Sequence, residues 1–113
     1  NGEEASFSYS LKEVTYLNTP YFKITKEGKK IEGVTLYPED FPITIRNAKL
    51  EDEIKLRLGT KKVRRFFIDN KIPHQKRKKW PVVENSKGNI IFVSGIGCDI
   101  NHYSNNFSMF VLK

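Results

Sequence analysis

The sequence predicts an α+β domain: mainly antiparallel short strands in a sheet or sandwich framework, carrying two adjacent short basic helices at about residues 60–79. Three observations carry this. Stretches rich in β-branched and aromatic residues recur toward both ends of the chain, separated by polar turn clusters. Between them Val63, Phe66 and Phe67 fall at i, i+3 and i+4, which puts three apolar side chains on one helix face. The 113 residues, 38% hydrophobic and 29% charged, suffice for one core and not two, so residues 1–113 read as a single globular domain.

In chain order, residues 7–16, 21–25 and 33–37 read as strands of a meander, with Lys26-Glu27-Gly28-Lys29 as the turn between the last two. Pro38-Glu39-Asp40 breaks that pattern, and residues 42–46 form another strand whose terminal Arg46 is expected at an exposed end. Thr60 is placed to cap a helix over residues 61–70, with Lys61 and Lys62 in its first turn. Cations there oppose the helix dipole, and a bound anion would relieve that. Pro73 suits the start of a second helix carrying His74 to Lys79, which Pro81 ends. Val82-Val83 and residues 90–93 flank Asn85-Ser86-Lys87-Gly88-Asn89, a five-residue hairpin connection with Gly88 available for positive φ. Phe107, Met109 and Val111 alternate along a last strand.

Charge is distributed unevenly. The net charge is +7, but nine of the 20 basic residues and only one of the 13 acids lie between Lys61 and Lys79, so the rest of the chain is close to neutral. Solubility alone intersperses the two signs, whereas such concentration points to a dedicated polyanion-facing patch. Val63, Phe66 and Phe67 point inward on a helical wheel, leaving Lys61, Lys62, Arg64 and Arg65 on the outer arc. The second helix has few groups suited to reading base edges, so backbone contact is favoured over a DNA-reading role.

Other chemistries find little support. The longest apolar run, Ile90 to Val93, is four residues, against the roughly 20 that cross a bilayer, so no membrane partner is expected. The single Cys98 fits a reducing cytoplasm and reads as an inert buried thiol. His74 and His102 read as surface residues, Glu51-Asp52-Glu53 as a solvated acidic run, and Trp80 as an anchor for the helix on the core. Neither a catalytic set nor a metal-binding set is expected, and the opening Asn1-Gly2-Glu3-Glu4, without Met, suggests a piece cut from a longer protein.

One ordered string is more specific than any of these patterns. Asp40-Phe41-Pro42-Ile43-Thr44-Ile45-Arg46 is followed by Lys61-Lys62-Val63-Arg64-Arg65-Phe66-Phe67-Ile68-Asp69-Asn70-Lys71-Ile72-Pro73, then Arg77, Pro81-Val82-Val83, residues 88–93 and Gly95-Ile96. Over about residues 38–97 this resembles the C-terminal domain of bacterial tRNA(Ile)-lysidine synthetase. The resemblance implies a cytoplasmic enzyme of tRNA modification, a ligase whose separate catalytic domain uses ATP and lysine to convert the wobble cytidine of an isoleucine tRNA. That domain's Ser-Gly-Gly-x-Asp-Ser phosphate loop has no counterpart in Ser94-Gly95-Ile96-Gly97, so no cofactor is expected to bind this piece. The resemblance further implies contact with the acceptor-stem side of tRNA by Arg46, Lys61, Lys62, Arg64, Arg65, Lys71 and Arg77; Lys76, Lys78 and Lys79 join on charge alone. Glu51-Asp52 departs from the family's usual Gly-Asp after the arginine-bearing turn, which puts that turn's backbone in question. The rival expectation is a module that docks on the catalytic domain of the same chain or forms a homodimer.

Overall fold

Apolar residues at consecutive positions, as in Val82-Val83 and Ile90 to Val93, suit strands covered on both faces, and the two central strands of the larger sheet are covered in this way. The computed structural model describes residues 6–113; the opening residues 1–4 lie outside them. The elements are β1 (Ser8–Leu11), β2 (Leu17–Asn18), β3 (Lys23–Thr25), β4 (Gly33–Val34), β5 (Ile43–Asn47), β6 (Glu53–Leu56), β7 (Gly59–Lys62), α1 (Val63–Asp69), α2 (His74–Arg77), β8 (Pro81–Glu84), β9 (Ile90–Val93), β10 (Gly97–Cys98) and β11 (Met109–Leu112). Single 3-10 turns occupy Lys30–Glu32 and Pro38–Asp40, and the Phe41–Pro42 bond is cis.

One sheet runs β1-β5-β8-β9-β6-β7, with β10 added on β9; the other runs β2-β3-β11-β4. All pairs are antiparallel except the single parallel contact Ile54↔Ile90 between β6 and β9. Ile43, Ile45, Val83 and Phe92 of the first sheet pack on Ile24, Val34, Met109 and Val111 of the second. The opposite face of the first sheet, through Ile54, Val82, Ile90 and Val93, receives Val63 and Phe67 of α1 together with Trp80. A register shift opposite Val83/Glu84 leaves Ile91 as an extra residue in β9, so both Ile91 and Phe92 reach the inter-sheet core. The Ser94 hydroxyl donates to Val111 O at 2.7 Å and ties the two sheets together.

The expected α+β framework, the β8–β9 hairpin with Gly88 at φ +84° and the final strand are all present. Several local expectations are corrected. Of residues 7–16 only Ser8–Leu11 form a strand, β1; β2 follows at Leu17–Asn18 and belongs to the other sheet. The first strands are not a meander, because β11 lies between β3 and β4. Lys61 and Lys62 belong to β7 rather than to the first helical turn: β7 pairs with β6, Val63 N–H donates to Asp52 O, and no side chain caps α1. The second helix is one turn, His74–Arg77, although Lys79 N–H and Trp80 N–H continue the winding onto Lys76 O and Arg77 O.

Candidate nucleic-acid interface

Two short helices and the turn between them form the basic face. α1 is fixed from below by Val63, Phe67 and half-buried Phe66. It ends in a Schellman arrangement: Ile72 N–H donates to Phe67 O and Lys71 N–H to Ile68 O, with Lys71 in the left-handed region at φ 55°. The Arg77 Nε donates to Ile72 O at 2.7 Å and so locks α2 against that turn. Trp80 closes the unit as expected: it is buried, its indole N–H donates to Ser94 O at 2.8 Å, and its ring lies 5.7 Å from Phe67.

This scaffold brings Arg64, Arg65, Lys71, Lys76, Lys78 and Lys79 to the surface. Arg64, Lys71, Lys76 and Lys79 have no ion pair among the described residues, whereas Lys78 makes a contact of its own. Arg65 lies near enough to Asp69 to help hold that carboxyl below its ordinary value, after the stronger hydrogen bond from Lys61. Lys61 is partly neutralised, with its Nζ 2.7 Å from Asp69 and 4.3 Å from the Phe66 ring centroid. Lys62 pairs with Glu53 at 2.9 Å, and Arg77 is half-buried in its turn-locking role.

Arg46 is the main departure from expectation. It lies on β5 within the sheet, not at an exposed end, and its side chain is 12% exposed. Its guanidinium grips Asp52 with two bonds of 3.0 and 2.9 Å and gives Nε to Glu84 at 2.9 Å. Burial opposes its charge, yet the hydrogen bonds and charges of the two carboxylates more than offset this and raise its pKa. Asp52 is therefore not part of a solvated acidic run; it also accepts Lys49 N–H at 2.7 Å and closes the turn. Glu51 imposes no strain there, because Lys71 is the non-glycine residue with positive φ among those described.

A second charged cluster lies apart from the basic face. His102 is buried, not on the surface: Nδ1 lies 2.6 Å from Asp99 and Nε2 lies 3.0 Å from both Asp40 oxygens. A neutral imidazole has one N–H, so donating to both carboxylates requires the charged ring. Burial opposes that charge, while Asp99 and Asp40 outweigh it and raise the pKa. The one local trace of the cluster in the sequence is Asp99 three residues before His102; Asp40 stands 62 residues away from that histidine. His74 is exposed as expected. The Cys98 thiol is pushed up to about 12 by burial and by Asp99, which leaves no reactive thiolate near neutral pH. Among the described residues no group of three or more His, Cys, Asp or Glu is arranged to hold a metal ion.

A family model described as the TilS substrate C-terminal domain matches residues 43–108. A tRNA(Ile)-lysidine synthase of Bacillus subtilis strain 168 is 48% identical over 58 residues, 50% of this chain and 12% of that protein. The synthase of Bacillus licheniformis is 43% identical over 72 residues, 62% of this chain and 15% of that protein. The chain thus spans about an eighth of the length of the curated relatives it matches. A crystal structure of a TilS C-terminal domain superposes with a TM-score of 0.73 at 25% identity, covering 96% of this chain and 94% of the other. With more than half of its residues inside the matched segment and its two-sheet fold shared with that crystal structure, the chain belongs to the TilS substrate C-terminal domain family.

Proposed function

We propose that this chain is the non-catalytic tRNA-binding domain of a tRNA(Ile)-lysidine synthetase, and that it holds isoleucine tRNA by the acceptor-stem side. A catalytic domain elsewhere in the same protein would then join lysine to the wobble cytidine using ATP. The observation that carries this reading is that Arg64, Arg65, Lys71, Lys76 and Lys79, on α1, α2 and the turns that follow them, are all exposed, while Asp69 is the one acid between Lys61 and Lys79. Cations on an exposed two-helix surface neutralise backbone phosphates and follow duplex shape, releasing counterions as they do so. Lys61, Lys62 and Lys78 add to the same field, while Arg46 and Arg77 act by holding the scaffold.

The test is a salt titration of binding to isoleucine tRNA beside a tRNA altered only in its acceptor stem. Tight, salt-steep binding that weakens for the altered stem is expected; equal binding to both reduces the surface to a generic phosphate binder. A second reading, docking onto the catalytic domain or onto a second copy, is favoured by Leu58, which is 97% exposed at the tip of the β6–β7 hairpin on the open edge of the larger sheet. Sedimentation separates the two: a stable dimer without RNA affinity would support docking, and a monomer that shifts with tRNA would not.

A further inference from the structure

Beside α2 the basic surface turns concave. Pro20 and Tyr21 from the loop before β3, Gln75 and Lys76 from α2, and Lys79 and Lys113 line one groove, with no Asp or Glu among its lining residues. A second groove, larger than this one, is by contrast lined by Glu39, Glu51 and Glu53 among other acids. Two walls of the basic groove are held in place. The Tyr21 ring stacks on Phe7 with centroids 4.4 Å apart and planes 10° from parallel, and the Lys113 Nζ sits 4.5 Å above the Trp80 ring centroid.

Exposed cations on helix surfaces suit the phosphates of a duplex, whereas a groove lined from several elements suits a narrower ligand. Three ammonium groups around a fixed aromatic ring and a carboxamide suit a nucleotide that has left the base stack. The lysines meet its phosphate, Tyr21 meets its ribose or base, and Gln75 offers both a donor and an acceptor. We propose that this groove receives an unpaired nucleotide of the bound RNA, next to the duplex backbone held by α1 and α2. The proposal rests on the tRNA-binding reading above and extends it. Pro20, Tyr21 and Lys113 lie outside residues 43–108, so the RNA surface would reach beyond the matched segment.

Trp80 is the single tryptophan, so a phosphate that draws Lys113 off its ring should change the emission of the 113-residue chain. The probes are an unpaired tetraribonucleotide, a blunt RNA duplex, inorganic phosphate and whole isoleucine tRNA. The tetranucleotide should change Trp80 emission and the blunt duplex should not. Followed by the anisotropy of an end-labelled tetranucleotide, because Lys113→Ala removes the contact that the emission reads, Gln75→Ala and Lys113→Ala should each weaken tetranucleotide binding about threefold to tenfold, with the salt slope lowered by about 1 in Lys113→Ala, while duplex binding is kept. Whole tRNA binding without tetranucleotide binding, or tetranucleotide binding indifferent to both variants, overturns the groove and leaves the tRNA reading. Phosphate alone giving the same change at the same concentration overturns nucleotide recognition. Tetranucleotide binding without tRNA binding supports the groove and removes the tRNA reading.

Discussion

In the groove that holds Arg46, Asp52, Asp40, Asp99 and His102, every one of these charges faces an opposite charge. Along α1 and α2, Arg64, Lys71, Lys76 and Lys79 face none among the described residues. The two regions use charge in opposite ways. In the first, buried and half-buried ions fix loops to strands, and removing one leaves its partners desolvated and uncompensated. In the second, the cations give little to the fold and remain available to an anion. A basic residue within a family-like string is therefore not evidence of ligand contact until its counter-charges are known.

The largest expected effect is that of Arg46→Ala. It strands Asp52 and Glu84 beside a vacated site and should cost about 3–5 kcal/mol in denaturant unfolding, as for a broken buried ion pair. Affinity of the remaining folded protein for tRNA should stay within about twofold, since what is lost is scaffold. A tenfold loss of affinity with unchanged stability would break the contrast, because Arg46 would then belong with the helix cations.

Next in size is the His102 cluster. Its pKa is raised in the fold, so its contribution is fully present below the ordinary histidine value of about 6.5 and is lost as pH rises through the folded value. The urea midpoint should fall as pH is raised from 6 into the alkaline range. His102→Gln should lower stability by about 1–3 kcal/mol at pH 6 and remove that component of the slope. An unchanged slope in the variant would show that the ring does not carry the proton in the fold.

The opposite region is tested by Arg64→Glu with Arg65→Glu. Two exposed helix positions should change stability by about 0.5 kcal/mol or less, whereas tRNA affinity should fall at least about tenfold and the salt slope should become shallower. Unchanged affinity would remove the α1–α2 face from the RNA surface altogether.

The same contrast explains what was legible in the sequence. The β8–β9 hairpin, α1 and the Trp80 anchor follow from periodicity and turn chemistry within a few neighbouring residues. The β6–β7 hairpin did not show, because Leu56 and Gly59 pair across the two residues Arg57-Leu58, without the Asn-Gly or Asp-Gly signal, and Leu58 looks like core although it is exposed. That hairpin carries Lys61 and Lys62 out of the helix and Asp52 onto Arg46. The exposed cations could be read as exposed because helical spacing alone decides their arc. Arg46 and His102 could not, since their partners Glu84 and Asp40 stand far away in sequence and meet them only through the sheet order.

The smallest effect falls at the boundary between the regions. Lys71 is an exposed cation, but its backbone sits at φ 55° in the C-terminal turn of α1, a conformation that costs a side-chain-bearing residue about 1–2 kcal/mol. Lys71→Gly relieves that strain and at the same time frees the unfolded chain, so the net gain should be about 0–1 kcal/mol. Binding should move the other way, with the salt slope for tRNA lowered by about 1 as one phosphate contact goes. Stability that rises while affinity falls is the reverse of the pattern expected at Arg46, and only a residue facing the ligand can give it. If the variant instead loses stability and keeps its affinity, Lys71 belongs to the scaffold, and the RNA-facing set contracts to Arg64, Arg65 and the lysines of α2 and its exit.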